Sequence, residues 1–116
     1  MIKRVIEECK IYDAPKHFQM AAMRLQGKEE SGAEKFWMGM SHFLPGGGAE
    51  YDYETSPTEK IYFVLEGEVV VYTKDKEKIV LKKNDSLFIG PNEGRSLINE
   101  TNMTATMLVI VNYPAV

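Results

Sequence analysis

The chain has 116 residues, of which 44% are hydrophobic and 27% are charged, and its formal net charge at pH 7 is -3. That length fits one domain with its own core, the acidic balance argues against nucleic-acid binding, and a single cysteine, Cys9, excludes an internal disulfide and a multi-cysteine zinc site. No apolar run reaches the roughly 18 residues of a membrane span, and the first residues lack the apolar stretch of a secretion signal, so we expect a cytoplasmic protein without a membrane partner.

Short apolar runs bounded by turn residues predict strands rather than helices along the chain. The segment before Pro15 is a candidate leading strand. The later runs are Phe18–Leu25, Lys35–Leu44, Lys60–Leu65, Glu68–Thr73, Lys78–Leu81, Ser86–Ile89, Arg95–Ile98 and Ala105–Tyr113. The breaks between them include the sequence GKEESG and the sequence PGGG, whose glycines favour a tight turn with positive φ. Many short strands at close spacing predict an all-β domain, either a sandwich or a barrel.

Several of the predicted strands are apolar on both faces. Ile61, Phe63 and Leu65 share one face of their strand, while Tyr62 and Val64 share the other. A half-exposed strand would alternate between apolar and polar residues, so these strands are expected to be covered on both sides. In so small a domain the second cover is commonly another subunit, which predicts a homodimer. The alternative is a monomer with an apolar surface patch.

Two segments resemble the sequence motifs of the cupins. Residues 45–68, PGGGAEYDYETSPTEKIYFVLEGE, resemble the first motif, in which a Pro-Gly turn, a His-x-His pair and a Glu precede an apolar strand that ends in Leu-Glu-Gly-Glu. Residues 83–99, KNDSLFIGPNEGRSLIN, resemble the second motif, which ends in a His and an Asn. The resemblance spans about residues 35–112 and implies a single domain over residues 1–116, an antiparallel β-barrel of the jelly-roll type.

The positions at which cupins bind a metal are changed in this chain. In the ungapped alignment of the motifs, the two His positions fall on Glu54 and Ser56, the Glu position on Lys60 and the second-motif His on Arg95. An ammonium and a guanidinium have no free lone pair, and their charge repels a divalent cation. The resemblance with these departures predicts that the usual metal site is absent and that no cofactor is needed.

The altered positions predict a site for a small organic anion. Glu54 can pair with Lys60, with Arg95 or with both, which leaves one net positive charge for a ligand such as a carboxylate or an enolate. Tyr62 shares the strand face of Lys60 and is expected to point into the barrel with it. Proton transfer next to a carbonyl would then use Glu54 as general base, with Lys60 or Arg95 stabilising the developing negative charge.

Further candidates for ligand contacts are Ser56, at a former ligand position, and His42, which shares a strand face with Met38 and Met40. His42 is either a cavity residue or a core or interface histidine, because the pattern does not reveal which face of Lys35–Leu44 points inward. His17 is expected at the surface. The acidic alternation of Glu50, Asp52 and Glu54 is typical of a solvated edge.

Three functions therefore remain open at the level of sequence. The first is a metal-independent cupin that binds an organic anion and catalyses isomerisation, elimination or hydrolysis by acid–base chemistry. The second is a non-catalytic ligand-binding or dimeric structural barrel, in which Glu54, Lys60 and Arg95 form an ion-pair network. The third is a metal-dependent oxygenase with ligands from unusual places, such as His42, Glu50 and Glu54.

Overall fold

A computed structural model describes residues 1–114 and confirms the all-β prediction. Nine strands account for most of these residues, with one short helix and one 3-10 turn at Ile6–Glu8. The elements are β1 (Ile11–Tyr12), β2 (His17–Gln26), α1 (Lys28–Ser31), β3 (Phe36–Asp52), β4 (Lys60–Glu66), β5 (Glu68–Thr73), β6 (Lys78–Lys82), β7 (Ser86–Ile89), β8 (Arg95–Ile98) and β9 (Ala105–Asn112). The segment before Pro15 does contain a strand, and the break GKEESG contains the helix α1.

The long strand β3 joins two antiparallel sheets into a barrel. Its first half pairs with β2 and β9, and β9 continues the sheet to β4 and β7. Its second half remains paired with β2 at Gly48 and Ala49 and pairs on the other edge with β8, which continues through β5 to β6. The two sheets face each other across the core, as in a jelly roll. Within the described residues 1–114, no helix has the length and apolar character to cross a membrane.

The PGGG segment lies inside β3, so the predicted turn after Leu44 is wrong. Gly46 has a φ of 80° and takes the left-handed backbone that the glycine pattern predicts, but the chain bends there without reversing. The backbone N–H of Gly46 donates to the Asn99 carbonyl at 2.8 Å, and the Asn99 N–H donates to the Gly47 carbonyl at 2.8 Å. A Cβ on Gly48 would lie 2.0 Å from the Leu97 carbonyl oxygen. Glycine therefore serves here to bring β3 and β8 close together.

Side chains from both sheets fill the core and fix which face of each strand points inward. On β4, Tyr62 and Val64 are buried, whereas Ile61 on the opposite face is exposed. The largest fully buried apolar side chains are those of Phe43, Met107, Val64, Val69 and Val71. On the first half of β3, Trp37, Gly39, Ser41 and Phe43 share one strand face and line the cavity described below, which Met40 also borders.

Asn99, just after β8, ties three segments together. Its side chain is fully buried, and its amide group donates to the carbonyls of Phe43 at 3.1 Å and Met103 at 2.7 Å. Its Oδ1 accepts from the backbone N–H of Thr101 at 3.0 Å and from the Thr101 hydroxyl at 2.7 Å. The Asn99 side chain thus supplies hydrogen-bond partners to two carbonyls, one backbone N–H and one hydroxyl. Its loss would be costly, because a buried polar atom without a partner lowers stability.

We expect Asn99→Ala to lower the free energy of unfolding by about 2–4 kcal/mol, since it removes several hydrogen bonds and leaves buried carbonyls unpaired. Denaturant unfolding measures this difference. Asn102→Ala, at an exposed position of the same loop, is the control and should change the free energy by less than about 0.5 kcal/mol. Equal stability of the two variants would contradict the role assigned to Asn99.

Candidate functional site

The barrel encloses a cavity of about 470 Å³ that is open at one side. Much of its wall is apolar, with side chains such as Met20, Trp37, Phe43, Leu97 and Met107. The polar groups that enter it from four strands and their flanking turns include His17, Arg24, Asp52, Glu54, Lys60, Tyr62 and Arg95. An apolar cavity with a few converging polar side chains is the typical form of a small-molecule site.

Arg95, the first residue of β8, is the most deeply buried charge of the cavity. Its residue surface is 6% exposed. The guanidinium Nε donates to the Tyr62 hydroxyl at 2.8 Å, and one terminal nitrogen donates to the Glu50 carbonyl at 3.1 Å. Within residues 1–114, no carboxylate lies within 4.0 Å of this guanidinium. Neutral oxygens thus orient Arg95, and no carboxylate of the described residues neutralises its charge.

Lys60, the first residue of β4, reaches the same cavity. Its Nζ lies 3.5 Å from Oε1 of Glu54, and the lysine side chain is 16% exposed while the glutamate is 50% exposed. Of the two pairings open to Glu54, the structure therefore shows the one with Lys60. The exposure of Glu54 makes this a weak ion pair. Glu54, Lys60, Tyr62 and Arg95, four of the six predicted site residues, line one cavity.

Ser56 and His42, the other two predicted site residues, do not line the cavity. Ser56 lies in the exposed turn between β3 and β4. His42 belongs to the outward face of β3, where its Nδ1 lies 3.0 Å from the hydroxyl of Thr106 on β9. The strand parity that places Ser41 and Phe43 in the cavity directs His42 to the other side of the sheet.

His17 lines the cavity, although the sequence pattern predicts a surface position. Its Nδ1 lies 2.7 Å from the carbonyl oxygen of Pro15. Burial lowers the pKa of His17, and the positive charges of Arg95 and Lys60 lower it further. The hydrogen bond to Pro15 and the charge of Asp52 oppose this shift without cancelling it. The sequence signal that was available is the position of His17 at the start of an apolar run.

Asp52 was also missed as a cavity residue. It stands opposite Arg95 in the pairing of β3 with β8, after a register irregularity that follows Ala49. Its Oδ1 accepts the Tyr53 N–H at 2.9 Å, and its Oδ2 lies 3.6 Å from Nζ of Lys16. The hydrogen bond from Tyr53 is the main reason why the pKa of Asp52 is lowered, with Lys16 and Arg95 contributing.

The donor set of this cavity does not fit the metal that cupins commonly hold. Lys60 and Arg95 offer protons rather than lone pairs. Among the described residues, no three His, Cys, Asp or Glu side chains converge as metal ligands. In particular, His42, Glu50 and Glu54 are not brought together: His42 faces outward, and Glu50 is exposed and contributes its backbone carbonyl to Arg95. The geometry therefore gives no support to the atypical oxygenase site.

Comparison with known proteins agrees with the fold. A chain of Mycobacterium tuberculosis named Beta-D-galactosidase is 44% identical over 105 residues, which cover 89% of this chain and 86% of that one. The polyketide cyclase RemF from Streptomyces resistomycificus superposes with a TM-score of 0.83 at 21% identity, covering 97% of this chain and 80% of the other.

A sugar phosphate isomerase from a cupin superfamily, from Silicibacter pomeroyi, has a TM-score of 0.78 at 16% identity and covers 97% of this chain and 76% of that one. At such identities these two structures show a shared fold alone. The sequence model that describes the cupin domain matches residues 39–111. That stretch contains β4, β8 and most of β3 and β9, whereas β2, which also lines the cavity, lies outside it. The chain therefore belongs to the cupin domain family.

Proposed function

We propose that this protein binds a small organic anion in its barrel without a metal and transfers a proton to or from it. The observation that carries the proposal is the buried guanidinium of Arg95, which has no carboxylate partner within the described residues. Burial of a charge is costly unless that charge is paired, so a ligand carboxylate or enolate would relieve the cost.

The charges around the cavity support an anionic ligand. Arg24, Lys60 and Arg95 line the cavity and are positive, whereas Asp52 and Glu54 are negative. Asp52 pairs with Lys16, and Glu54 pairs with Lys60. Arg24 and Arg95 have no carboxylate within 4.0 Å among the described residues, and Arg95 is the more buried of the two. Arg95 has five N–H donors and uses two of them on Tyr62 and Glu50, so donors remain for a carboxylate.

Tyr62 adds a directed donor to the same site. Its oxygen accepts from Arg95, which leaves the hydroxyl proton free to donate to a ligand oxygen in the cavity. The charge of Arg95 favours this polarity. A carbonyl oxygen that gains negative charge as a neighbouring C–H loses its proton would be stabilised by Tyr62, Arg95 and Lys60 together. Glu54 is the candidate base from sequence. Isomerase, lyase and hydrolase reactions all use such a step.

We expect Arg95→Gln to weaken the binding of small carboxylates at least 10-fold while leaving the binding of their methyl esters unchanged. The change removes the charge but keeps an amide that can donate to Tyr62. Titration calorimetry with paired acids and esters, for example pyruvate and methyl pyruvate, measures the difference. Lys83→Gln is the control, because it removes a cation that pairs with Glu66 outside the cavity. Equal losses in the two variants, or equal affinity for acid and ester in the parent protein, would refute anion binding.

Glycoside hydrolysis is a second candidate, favoured by the 44% identity to the protein named Beta-D-galactosidase. Glycosidases commonly use two carboxyl groups that flank the scissile bond, one as acid and one as base or nucleophile. Asp52 and Glu54 both line the cavity, and so does Trp37, over whose ring the Arg24 guanidinium lies at 4.1 Å. In this candidate Arg95 and Lys60 bind hydroxyl groups rather than an anion.

If the second candidate is correct, the protein hydrolyses nitrophenyl β-D-galactoside, and both Asp52→Asn and Glu54→Gln lower kcat at least 100-fold, since each removes one of the two carboxyl groups. Release of nitrophenol measures the rate. Glu50→Gln is the matched control, because Glu50 belongs to the same acidic stretch but its side chain does not line the cavity. Full activity of Glu54→Gln would remove Glu54 as a catalytic group, and no hydrolysis by the parent protein would remove this candidate.

The outward face of the β3–β9–β4–β7 sheet supports the expected homodimer. Apolar residues meet there across the strands, with Ile61 opposite Phe88 and Ile110, and Phe63 opposite Leu108. Ile61 is 42% exposed and Phe88 is 57% exposed. None of these neighbouring side chains is charged, so the patch favours an apolar partner surface over a charged one. In a dimer with a two-fold axis, the same apolar patch of a second copy would cover this one.

We expect the protein to have twice the mass of one chain in solution at micromolar concentration, and Phe88→Glu to be monomeric, because dimerisation would bury the new charge. Light scattering coupled to size exclusion measures both masses. Val80→Glu is the control, since Val80 is 40% exposed on the other sheet and should leave the dimer intact. A monomeric parent protein would rule out the dimer.

A further inference from the structure

The geometry points to His17 as the general base of this cavity, with its Nε2 taking the proton from the bound substrate. This inference rests on the proposed metal-independent proton transfer and assigns that step to a residue other than Glu54. His17 stands at the start of β2, and its backbone pairs with Ala49 of β3. Its side chain lies among the groups that line the cavity.

One hydrogen bond determines which ring nitrogen of His17 is free. Nδ1 lies 2.7 Å from the Pro15 carbonyl oxygen, and a carbonyl oxygen can only accept. Nδ1 therefore carries the hydrogen, and in the neutral ring the lone pair is on Nε2. Among residues 1–114, Nε2 has no hydrogen-bond partner within the protein. The ring is thus oriented through one nitrogen while the other is available to a ligand.

Burial lowers the pKa of His17, and nearby positive charges lower it further, so the ring is neutral near pH 7. Arg95 from β8 and Lys60 from β4 both act on it, and both charges oppose protonation. Asp52 at the end of β3 favours protonation, but its carboxylate also interacts with Lys16, the neighbour of His17. A neutral imidazole has the lone pair that a base needs. Glu54, in contrast, is half exposed and is already paired with Lys60.

The proton transfer is balanced without any further reactant. The C–H bond next to the substrate carbonyl breaks, its proton goes to Nε2, and its electron pair moves towards the carbonyl oxygen. The resulting enolate is held by the Tyr62 hydroxyl and the two cations. Return of the proton from Nε2 to the original or an adjacent carbon restores the base, so the cycle involves no oxidation or reduction.

Nitrogen-15 NMR of the labelled parent protein tests the state of the ring independently of activity. His17 and His42 are the two histidines of the chain, so His17→Asn and His42→Asn assign their signals. We expect the Nδ1–H tautomer for His17 at pH 7 and a pKa below 6.5, the ordinary value. The Nε2–H tautomer, or a ring protonated at pH 7, would overturn the assignment.

Exchange of the methyl protons of pyruvate for deuterium tests the reaction. Pyruvate has a carboxylate for Arg95 and C–H bonds next to a carbonyl. We expect His17→Asn to lower the catalysed exchange rate by about 10²–10⁴-fold with little change in pyruvate affinity, and added imidazole to restore part of it. His42→Asn, which alters the outward face, should exchange like the parent protein.

The pH dependence separates a base from a structural role. In the parent protein the exchange rate should fall as the pH drops through the pKa of His17, since protonation occupies Nε2, and this fall should be absent in His17→Asn. Exchange by His17→Asn at the parent rate would overturn the inference and leave the proposed function intact. If the parent protein binds pyruvate but catalyses no exchange, then the proton transfer of the proposed function fails, and the role of His17 fails with it.

Discussion

The structure of the site depends on how the charge of Arg95 is accommodated in the barrel. Tyr62 and the backbone carbonyl of Glu50 fix the direction of the guanidinium, but neither neutralises it. Both are dipoles, so they lower the cost of burial while they leave an unbalanced positive charge at the cavity wall. A carboxylate at hydrogen-bonding distance would have produced a closed ion pair with little affinity for a ligand. The absence of such a partner is what favours the proposed binding site over a structural ion-pair network.

The backbone of β3 makes that arrangement possible. Its first half supplies apolar cavity wall, and its second half supplies the Glu50 carbonyl and places Asp52 opposite Arg95. β2 pairs with both halves, but on the other edge the partner changes from β9 to β8 at the glycines, where β8 approaches too closely for a side chain. Asn99 holds the bend by bonding to the carbonyl of Phe43. The glycines and Asn99 therefore act on the site through its geometry, without contact with a ligand.

Features produced by interactions between residues close in sequence were predictable, and features produced by distant residues were not. Most strands were predictable, because their apolar runs and turns are local, and β5, β7 and β8 have the predicted bounds. Lys60 and Tyr62 were placed correctly in the cavity because alternation along one strand relates them. The glycine segment was not predictable as strand, since its partners Asn99 and Leu97 are about 50 residues away in sequence.

His17 and His42 show the same limit for the site. Local pattern gives two faces of a strand but does not state which is inward, and His42 lies on the outward one. His17 follows a proline in an irregular stretch, and only its pairing with Ala49 brings it beside the cavity. Asp52 depends in the same way on its register with Arg95. Long-range pairing decided all three positions, and it is not encoded in the spacing of one segment.

Burial lowers the pKa of His17, and the charges of Arg95 and Lys60 lower it further, so in the proposed function ligand binding and proton transfer would be coupled. In the free protein, Arg95 and Lys60 act on the ring without an opposing ligand and disfavour its protonation. A carboxylate bound between them offsets that field, which makes the protonated ring less costly at the moment when a proton must be accepted. By the same linkage, protonation of His17 strengthens the binding of the anion. A neutral ligand would not offset the positive charges of Arg95 and Lys60, so it would not raise the basicity of His17. The guanidinium of Arg95 would thus favour an anionic substrate in two ways: it would strengthen binding, and its neutralisation by the substrate would make His17 a stronger base.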